Sequence, residues 1–324
     1  MCRLAWIWWF ALVAAACGGC GHAAGQDASA RSTAASAGSD ATGAPLSVVC
    51  TTGQVADMLE NIGGAHVKVV ALMGAGVDPH LYKATPGDIR RLKRADVIFY
   101  SGLHLEGRLA AVLEKLAEKK PAIAVTAGVR QSEPQRLRTA PQFAESYDPH
   151  VWFDVGLWAD CSEYAAGKLI EFDPAHAADY RDNADRYVTQ LRALDRWCRD
   201  RILEIPKTQR VLVTAHDAFG YFGDAYGIEV HGLQGISTAD EADLGALNDL
   251  VRLLVGRRIK AVFIESSVPR KSITSLIEGC DAAGHKVVIG GELYSDAMGP
   301  RGTPEGTYMG MVQYNVDEVV NALK

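Results

Sequence analysis

The fold is decided by one uninterrupted stretch, residues 174–205, whose sequence is PAHAADYRDNADRYVTQLRALDRWCRDRILEI. It contains no glycine and no proline after Pro174, and its apolar residues recur near one helical face: Tyr187, Leu191, Leu194, Trp197 and Cys198. At 1.5 Å per residue, a helix of this length would be about 45 Å long. Pro206 ends the stretch, because proline lacks the N–H that a helix interior needs. We therefore predict one long, rigid α-helix over residues 174–206.

Short apolar segments alternate with helical patterns on both sides of this helix. The strands predicted before it are Leu46–Cys50, Val67–Leu72, Val97–Tyr100 and Ala122–Val125. Those predicted after it are Val211–Val213, Ile228–Val230, Ala261–Ile264 and Lys286–Ile289. Helical patterns lie between and after these strands, among them Thr51–Ile62, Leu105–Leu116, Asp243–Val255, Ser272–Ala283 and Val312–Leu323. Strands that alternate with helices indicate mainly parallel sheets with helices on their faces.

The position of the long helix between two sets of strands favours two lobes over one large doubly wound sheet. The predicted fold is therefore α/β, with two lobes, each a mainly parallel sheet flanked by helices, joined by one long rigid helix. The predicted boundaries are residues 45–173 for the N-terminal lobe, 174–206 for the linking helix and 207–324 for the C-terminal lobe.

The composition excludes several classes of protein. A chain of 324 residues with mean hydropathy near zero and no long apolar run after the first twenty residues is not a polytopic membrane protein. A net charge of −6 gives no indication of nucleic-acid binding, which usually needs a basic patch. Seven cysteines are too few for a disulfide scaffold, although the spacing leaves a Cys161–Cys198 bridge open.

The N-terminus indicates export. Residues 1–20 contain Arg3, then an apolar stretch that ends in small residues before Cys17, which is typical of a bacterial lipoprotein signal. Cys17 is the candidate for lipidation, Cys20 is a weaker one, and a plain cleaved secretory signal is the alternative. In residues 21–44, nineteen of 24 positions are Ala, Ser, Gly or Thr, so this segment is expected to be a flexible tether. The predicted location is the periplasm or the outer face of the cytoplasmic membrane.

A repeated motif gives the strongest indication of chemistry. The sequence Asp-Pro-His, followed by an aliphatic and an aromatic residue, occurs at residues 78–82 and again seventy positions later at 148–152. Proline fixes φ and restricts the residue before it, so each histidine is presented on a stiff turn. His216 lies at the end of the first strand of the C-terminal lobe, and Asp296 follows its last strand. These are the usual places for ligand sites in open α/β sheets.

Two histidines from one lobe, His80 and His150, with His216 and Asp296 from the other, would make a four-ligand metal site across the cleft. Imidazole and carboxylate groups suit zinc or manganese, and no thiolate is in position to select a softer ion. A site closed by four protein ligands leaves no position for an activated water, so the expected role is binding, not catalysis. Release of the ion is expected to involve movement of the lobes.

From about Val48 to its C-terminus, the chain resembles the zinc- and manganese-binding solute-binding lipoproteins of ABC importers, particularly their TroA-like branch. The stretches that carry the resemblance are Gly76–Tyr82, Ser101–Glu106, Asp148–Trp152, Val213–Phe222, Gly232–Thr238, Phe263–Ser267 and Gly290–Gly299. The resemblance implies metal ligands at His80, His150, His216 and Asp296, and two lobes bridged by a rigid helix. It also implies a monomer that binds one ion, is anchored by lipid and delivers the ion to a permease with an ATPase subunit.

The choice of metal stays open between Zn²⁺ and Mn²⁺. Zinc importers of this family often carry a loop rich in histidine and acidic residues, and the corresponding span here, residues 128–147, has no histidine. Manganese binders often have glutamate at the position of His216. Three imidazoles and one carboxylate lie between these two patterns, although ligand softness favours zinc.

The remaining candidates are weaker, and two other functions stay open. His104 and Glu106 are expected to support ligands or to pack, and Glu265 to orient a ligand, close the cleft or serve as a structural carboxylate. A metal-dependent hydrolase is one alternative function, but the sequence contains no His-Glu-x-x-His motif. The other is an adhesin, which would use the same exported body without needing the cleft.

Overall fold

The computed structural model describes residues 43–140, 147–239 and 244–324, which fall within one compact unit. The predicted signal region 1–20, with Cys17, and all but the last two residues of the predicted tether lie outside these residues. Within the part of the chain that is described, no helix is long and apolar enough to cross a membrane.

The N-terminal half contains one parallel sheet. Its strands are β1 (Leu46–Cys50), β2 (Val67–Ala71), β3 (Val97–Tyr100) and β4 (Ala122–Ala124), in the order β2-β1-β3-β4. In the register, Val48 faces Val69 on one side and Val97 on the other. The helices of this half are α1 (Gly53–Gly63), α2 (Pro86–Arg94), α3 (Ala110–Ala117) and α4 (Ala127–Ser132). All four strands run in the same direction, so their carboxyl ends meet at one edge of the sheet.

The ends of helix α2 show how local sequence sets its limits. Thr85 and Asp88 form a capping box around Pro86, the first residue of the helix. At the other end, the ammonium of Lys120 donates to the carbonyl oxygens of Leu92, Lys93 and Ala95. A cation at this end also interacts favourably with the helix dipole.

One long helix joins the halves. The predicted linking helix is α6 (Ala177–Leu203), and residues 174–176 form a 3-10 turn before it. Its buried residues include most of the predicted face, but Trp197 is only partly buried. The preceding helix α5 (Val155–Phe172) packs along α6 and was not predicted. Ten of its 18 residues are buried, so it shows no single apolar stripe.

The C-terminal half contains two two-stranded parallel sheets, not the single sheet that the sequence predicts. Strand β5 (Val211–His216) pairs with β6 (Glu229–Gln234), and β7 (Ala261–Glu265) pairs with β8 (Val288–Leu293). β5 and β7 lie close together. At the end of β5, the backbone N–H of His216 donates to the Glu265 carboxylate at 2.9 Å. The helices of this half are α7 (Gly220–Tyr226), α8 (Leu244–Arg257), α9 (Lys271–Ala282) and α10 (Tyr308–Leu323).

One continuous hydrophobic core runs through both halves, around α5, α6 and α10. Its aromatic pairs include Trp158 and Tyr308, which stack with ring centroids 5.6 Å apart. A second, smaller cluster lies under α2 and α3 and includes Leu92, Ile98 and Leu113. The lobe boundaries at residues 173 and 206 stay a prediction, because one hydrophobic core contains residues from both sides of each boundary.

Candidate metal centre

The two Asp-Pro-His turns use the same local device. In the first turn, the Asp78 carboxylate accepts the backbone N–H of His80 at 2.8 Å. In the second, the Asp148 carboxylate accepts the backbone N–H of His150 at 3.0 Å. Each aspartate therefore closes a turn around its proline and fixes the direction in which the histidine leaves the main chain. The stiff presentation predicted from the sequence has this physical basis.

The structure brings together all four ligands predicted from the sequence. His216 is the last residue of β5, and Asp296 lies three residues beyond the end of β8, so both follow the carboxyl ends of strands. His80 is 6% exposed, Asp296 2%, and His150 and His216 are fully buried. One ligand atom from each of the four residues lies within 4.8 Å of all the others.

The distances between these atoms suit a metal ion at their centre. The Nε2 atoms of His80 and His150 are 3.3 Å apart. The Nε2 atoms of His150 and His216 each lie 3.3 Å from an oxygen of Asp296, and that of His80 lies 3.7 Å away. Ligand atoms at about 2.0–2.1 Å from a tetrahedral zinc ion would be roughly 3.3–3.4 Å apart.

Several of these atoms have no hydrogen-bond partner among the residues that the structure describes. They include Nε2 of His216 and both carboxylate oxygens of Asp296, all of which are buried. Buried polar atoms in folded proteins are normally paired, so a cluster of unpaired donors and acceptors needs an explanation. A divalent cation would satisfy all of them at once, and imidazole and carboxylate are ligands that zinc and manganese accept.

Two carboxylates contact the Nδ1 atoms of two of the candidate ligand histidines and thereby orient their rings. Asp148 lies 2.8 Å from Nδ1 of His150, and Glu265 lies 2.5 Å from Nδ1 of His216. A carboxylate at Nδ1 accepts a hydrogen bond from the Nδ1–H of the neutral imidazole, which keeps the proton on Nδ1 and leaves the Nε2 lone pair free for a metal. Glu265 therefore lies against His216, in a position that fits the predicted role of orienting a ligand. The corresponding role of Asp148 was missed, although it belongs to the motif that was identified.

The pKa values of the three histidines are shifted in different directions by their surroundings. Burial lowers the pKa of His80 to about 4, although the Asp296 carboxylate opposes this shift. For His150, burial also favours the neutral form, but the carboxylates of Asp148 and Asp296 outweigh it and raise the pKa to about 9. The pKa of His216 is raised well above its usual range, because Glu265 and Asp296 outweigh its burial.

Asp296 shows the converse effect. Its burial favours the neutral acid, but the neighbouring histidines, His216 foremost, hold its pKa well below the usual range. Without a metal ion, therefore, the buried carboxylate stays ionised between protonated imidazoles.

Glu106 supports a turn and not a metal ligand. Its buried carboxylate accepts hydrogen bonds from the Thr51 hydroxyl and from the backbone N–H groups of Ser101 and Gly102. These contacts hold a turn in which Gly102, Leu103 and His104 have φ of 92°, 52° and 65°. His104 itself is exposed and lines a cavity of about 310 Å³ that also reaches His80. Of the two roles predicted for Glu106, supporting a ligand or packing, its burial and its hydrogen bonds to this turn fit packing.

The described cysteines take no part in the site. Cys50, Cys161, Cys198 and Cys280 are free and buried. The Cys161–Cys198 bridge that the spacing left open is therefore not formed. Burial raises the pKa of Cys198 to about 12, which keeps its thiol protonated and unreactive.

Comparison with known proteins identifies the family. The family model described as zinc-uptake complex component A, periplasmic, matches residues 48–322. The chain belongs to this family. The match covers both halves of the fold and confirms the resemblance drawn from the sequence motifs.

Individual relatives of the zinc-uptake family agree with this assignment. The manganese-binding lipoprotein MntA of Bacillus subtilis is 50% identical over 279 residues, which cover 86% of this chain and 90% of the relative. The zinc-binding protein TroA of Treponema pallidum is 46% identical over 283 residues, or 87% of this chain and 90% of the relative. The solved structure of the periplasmic zinc-binding protein TroA from the same organism superimposes with a TM-score of 0.82 at 44% identity, covering 86% of this chain and 99% of that one. The predicted α/β fold is thereby confirmed.

Proposed function

We propose that this chain is the solute-binding component of an ABC importer for zinc or manganese. It captures one ion with His80, His150, His216 and Asp296 and delivers it to a membrane permease that is driven by an ATPase subunit. The observation that carries this proposal is the buried cluster of these four side chains, whose ligand atoms lie within 4.8 Å of one another and in which His216 Nε2 and both Asp296 oxygens have no hydrogen-bond partner among the described residues. Names of relatives support it, since they include manganese-binding, zinc-binding and metal ABC transporter substrate-binding proteins.

The geometry favours binding over hydrolysis. A hydrolytic metal site keeps one position open for water and needs a free base beside it. Here the carboxylates nearest to the ligands, Asp148 and Glu265, lie against Nδ1 of the histidines. Neither is free to take a proton from a water, and all four ligands are buried. We therefore assign no enzymatic activity to this site. An adhesin role would be independent of the site, and loss of the ligands would leave it intact.

Relatives also support the proposed location. Several carry lipoprotein in their names, and the family is described as periplasmic. We propose that the chain is exported, lipid-anchored through Cys17 at the outer face of the cytoplasmic membrane, and monomeric. Labelling with a radioactive fatty acid in cells would test the anchor, since Cys17→Ala should abolish incorporation while secretion continues.

Either ion is compatible with the ligand set. Three imidazoles favour zinc in intrinsic affinity, because zinc stands above manganese in the order of divalent-ion stability. An oxygen pair from Asp296 would suit the higher coordination number of manganese, and its two oxygens each lie 3.3 Å from a histidine nitrogen. We therefore propose that the site accepts both ions and binds zinc more tightly.

The test is a calorimetric titration of metal-stripped protein with Zn²⁺ and with Mn²⁺. A competing chelator is added where binding is too tight to measure directly. We expect one ion per chain in the wild type and a loss of at least 100-fold in affinity in a His80→Ala, His216→Ala double variant. His231→Ala is the matched control, since this half-buried histidine lies on β6 and pairs with Glu229. Equal affinity in the wild type and the double variant would refute the ligand assignment.

A further inference from the structure

The segment that carries Asp296 is held by contacts from both halves of the molecule. The carbonyl oxygen of Tyr294 accepts a hydrogen bond from the side chain of Asn315 on α10, within the C-terminal half. The next two carbonyls have partners in the N-terminal half. Trp152 donates to Ser295 O and Gln54 donates to Asp296 O, each at 3.1 Å. The carbonyl of Tyr294 is therefore bonded to the C-terminal half, whereas those of Ser295 and Asp296 are bonded to the N-terminal half.

Gln54 is placed for this contact by the start of helix α1. It is the second residue of the helix, 1% exposed, and its Nε2 reaches the carbonyl of Asp296. Its Oε1 has no partner within residues 43–140, 147–239 and 244–324, so the hydrogen bond of this buried amide goes to the ligand segment. The two segments also pack closely, since a Cβ added at Gly53 would lie 3.2 Å from the Met298 side chain.

Trp152 connects the same segment to a second ligand. It follows His150 by two residues, and its ring packs edge-on against the His150 imidazole with centroids 5.2 Å apart. Its indole N–H donates to Ser295 O, and its own carbonyl accepts the hydroxyl of Tyr308. Trp152 is 2% exposed, so the contact is protected from water.

We propose that Gln54 and Trp152 are positioning residues that hold the Asp296 ligand against the N-terminal half and thereby set how long the ion stays bound. We call the two hydrogen bonds from Gln54 and Trp152 to the Ser295–Asp296 main chain the carbonyl clamp. While the clamp is intact, the Asp296 carboxylate stays beside His80 and His150. When it breaks, the segment is free to follow the C-terminal half, and the carboxylate leaves the ion.

This inference rests on the proposed function and adds the residues that control release. Losing one neutral hydrogen bond and leaving a buried carbonyl unpaired predicts that each single variant speeds dissociation about fivefold to tenfold. The association rate should change by less than about twofold, because the four ligands remain in place. A variant that changes the dissociation rate but not the association rate indicates a clamp, whereas a general weakening of the site would change both rates.

The experiment measures zinc dissociation from the full chain by stopped flow with an excess of chelator. Gln54→Met keeps the length of the side chain and removes the donor, and Trp152→Phe removes the indole N–H. The matched controls are Gln190→Met and Trp197→Phe, which make the same changes on α6, away from the cleft. We expect faster release in both clamp variants and unchanged release in both controls.

Two further measurements separate positioning from loss of structure. The melting temperature of the metal-free protein reports on folding, and the visible spectrum of the Co²⁺-loaded protein reports on the ligand set. Faster release with an unchanged melting temperature and Co²⁺ coordination supports the clamp. Dissociation within about twofold of the wild type, or equal acceleration in the controls, overturns it. Absence of zinc binding in the wild type would instead refute the proposed function.

Discussion

Metal binding at neutral pH is expected to displace about two protons from the site. The perturbation is the addition of Zn²⁺ to metal-free protein at pH 7. A histidine binds a metal through a neutral ring, so every imidazolium in the metal-free site must lose its proton first. The number of protons released therefore counts the charged histidines.

The magnitude follows from the contacts of each ring. His150 lies between Asp148 and Asp296, and the two carboxylates raise its pKa to about 9 against the opposing effect of burial. His216 lies between Glu265 and Asp296, which raise its pKa well above the usual range. His80 has no carboxylate at its Nδ1 among the contacts of the described residues, and burial lowers its pKa to about 4. At pH 7 the first two rings are charged and the third is neutral.

Unperturbed histidines would give a different result. With a pKa of about 6.5, each ring would be roughly one quarter protonated at pH 7, and three rings would release about 0.7 protons. The expected value of about two is therefore well outside what ordinary histidines would produce.

The assay is calorimetric titration in several buffers that differ in ionisation enthalpy, because the dependence of the observed enthalpy on the buffer gives the proton count. Affinity should rise with pH, since protonation competes with the metal. The logarithm of the association constant should increase by about two per pH unit between pH 4 and pH 9, which corresponds to roughly 2.7 kcal/mol per unit. Release of fewer than one proton at pH 7, or a slope below one, would refute the pKa assignment of His150 and His216.

Two other variants are expected to have separate effects. Glu265→Gln removes the negative charge beside Nδ1 of His216. Zinc affinity, measured by chelator competition, should fall about 10-fold to 100-fold, and the number of protons released at pH 7 should fall by about one. Unchanged affinity would mean that Glu265 does not orient the ligand. Lys120→Met removes the ammonium that donates to three carbonyls at the end of α2, so the free energy of unfolding in urea should fall by about 1–2 kcal/mol. Zinc affinity should stay unchanged in that variant, and a loss of affinity would contradict the purely local role of Lys120.

Local signals made the grouping of the proposed metal ligands predictable. His80 and His150 stand in matching Asp-Pro-His turns, and the proline and the aspartate of each turn act within two residues of the histidine. His216 and Asp296 follow apolar strands, where parallel sheets place their ligands. Helix α6 was predicted for a similar reason, since residues 174–205 contain neither glycine nor an internal proline.

Contacts between distant residues were not predictable. Gln54 and Trp152 donate to carbonyls that are 242 and 143 positions away in the sequence, and nothing near either residue indicates these partners. Helix α5 was missed because its faces are buried on several sides. Helix α3 begins at Ala110 and not at Leu105, because the chain continues in turns through residues 103–109 after the positive φ values at residues 102–104.

The charges around the centre explain why it suits a divalent ion. Three carboxylates contact an imidazole nitrogen: Asp148, Glu265 and Asp296. One cation offsets them, the guanidinium of Arg138, whose Nε lies 3.4 Å from Asp148 while its NH1 pairs with the exposed Asp224. Asp148, Glu265, Asp296 and Arg138 together carry two negative charges when all three histidines are neutral. Two protons on His150 and His216 balance these charges without a metal, and one divalent ion balances them with it. Capture is therefore expected to exchange two imidazolium protons for one divalent ion, which leaves the total charge of these groups unchanged and makes the affinity depend on pH.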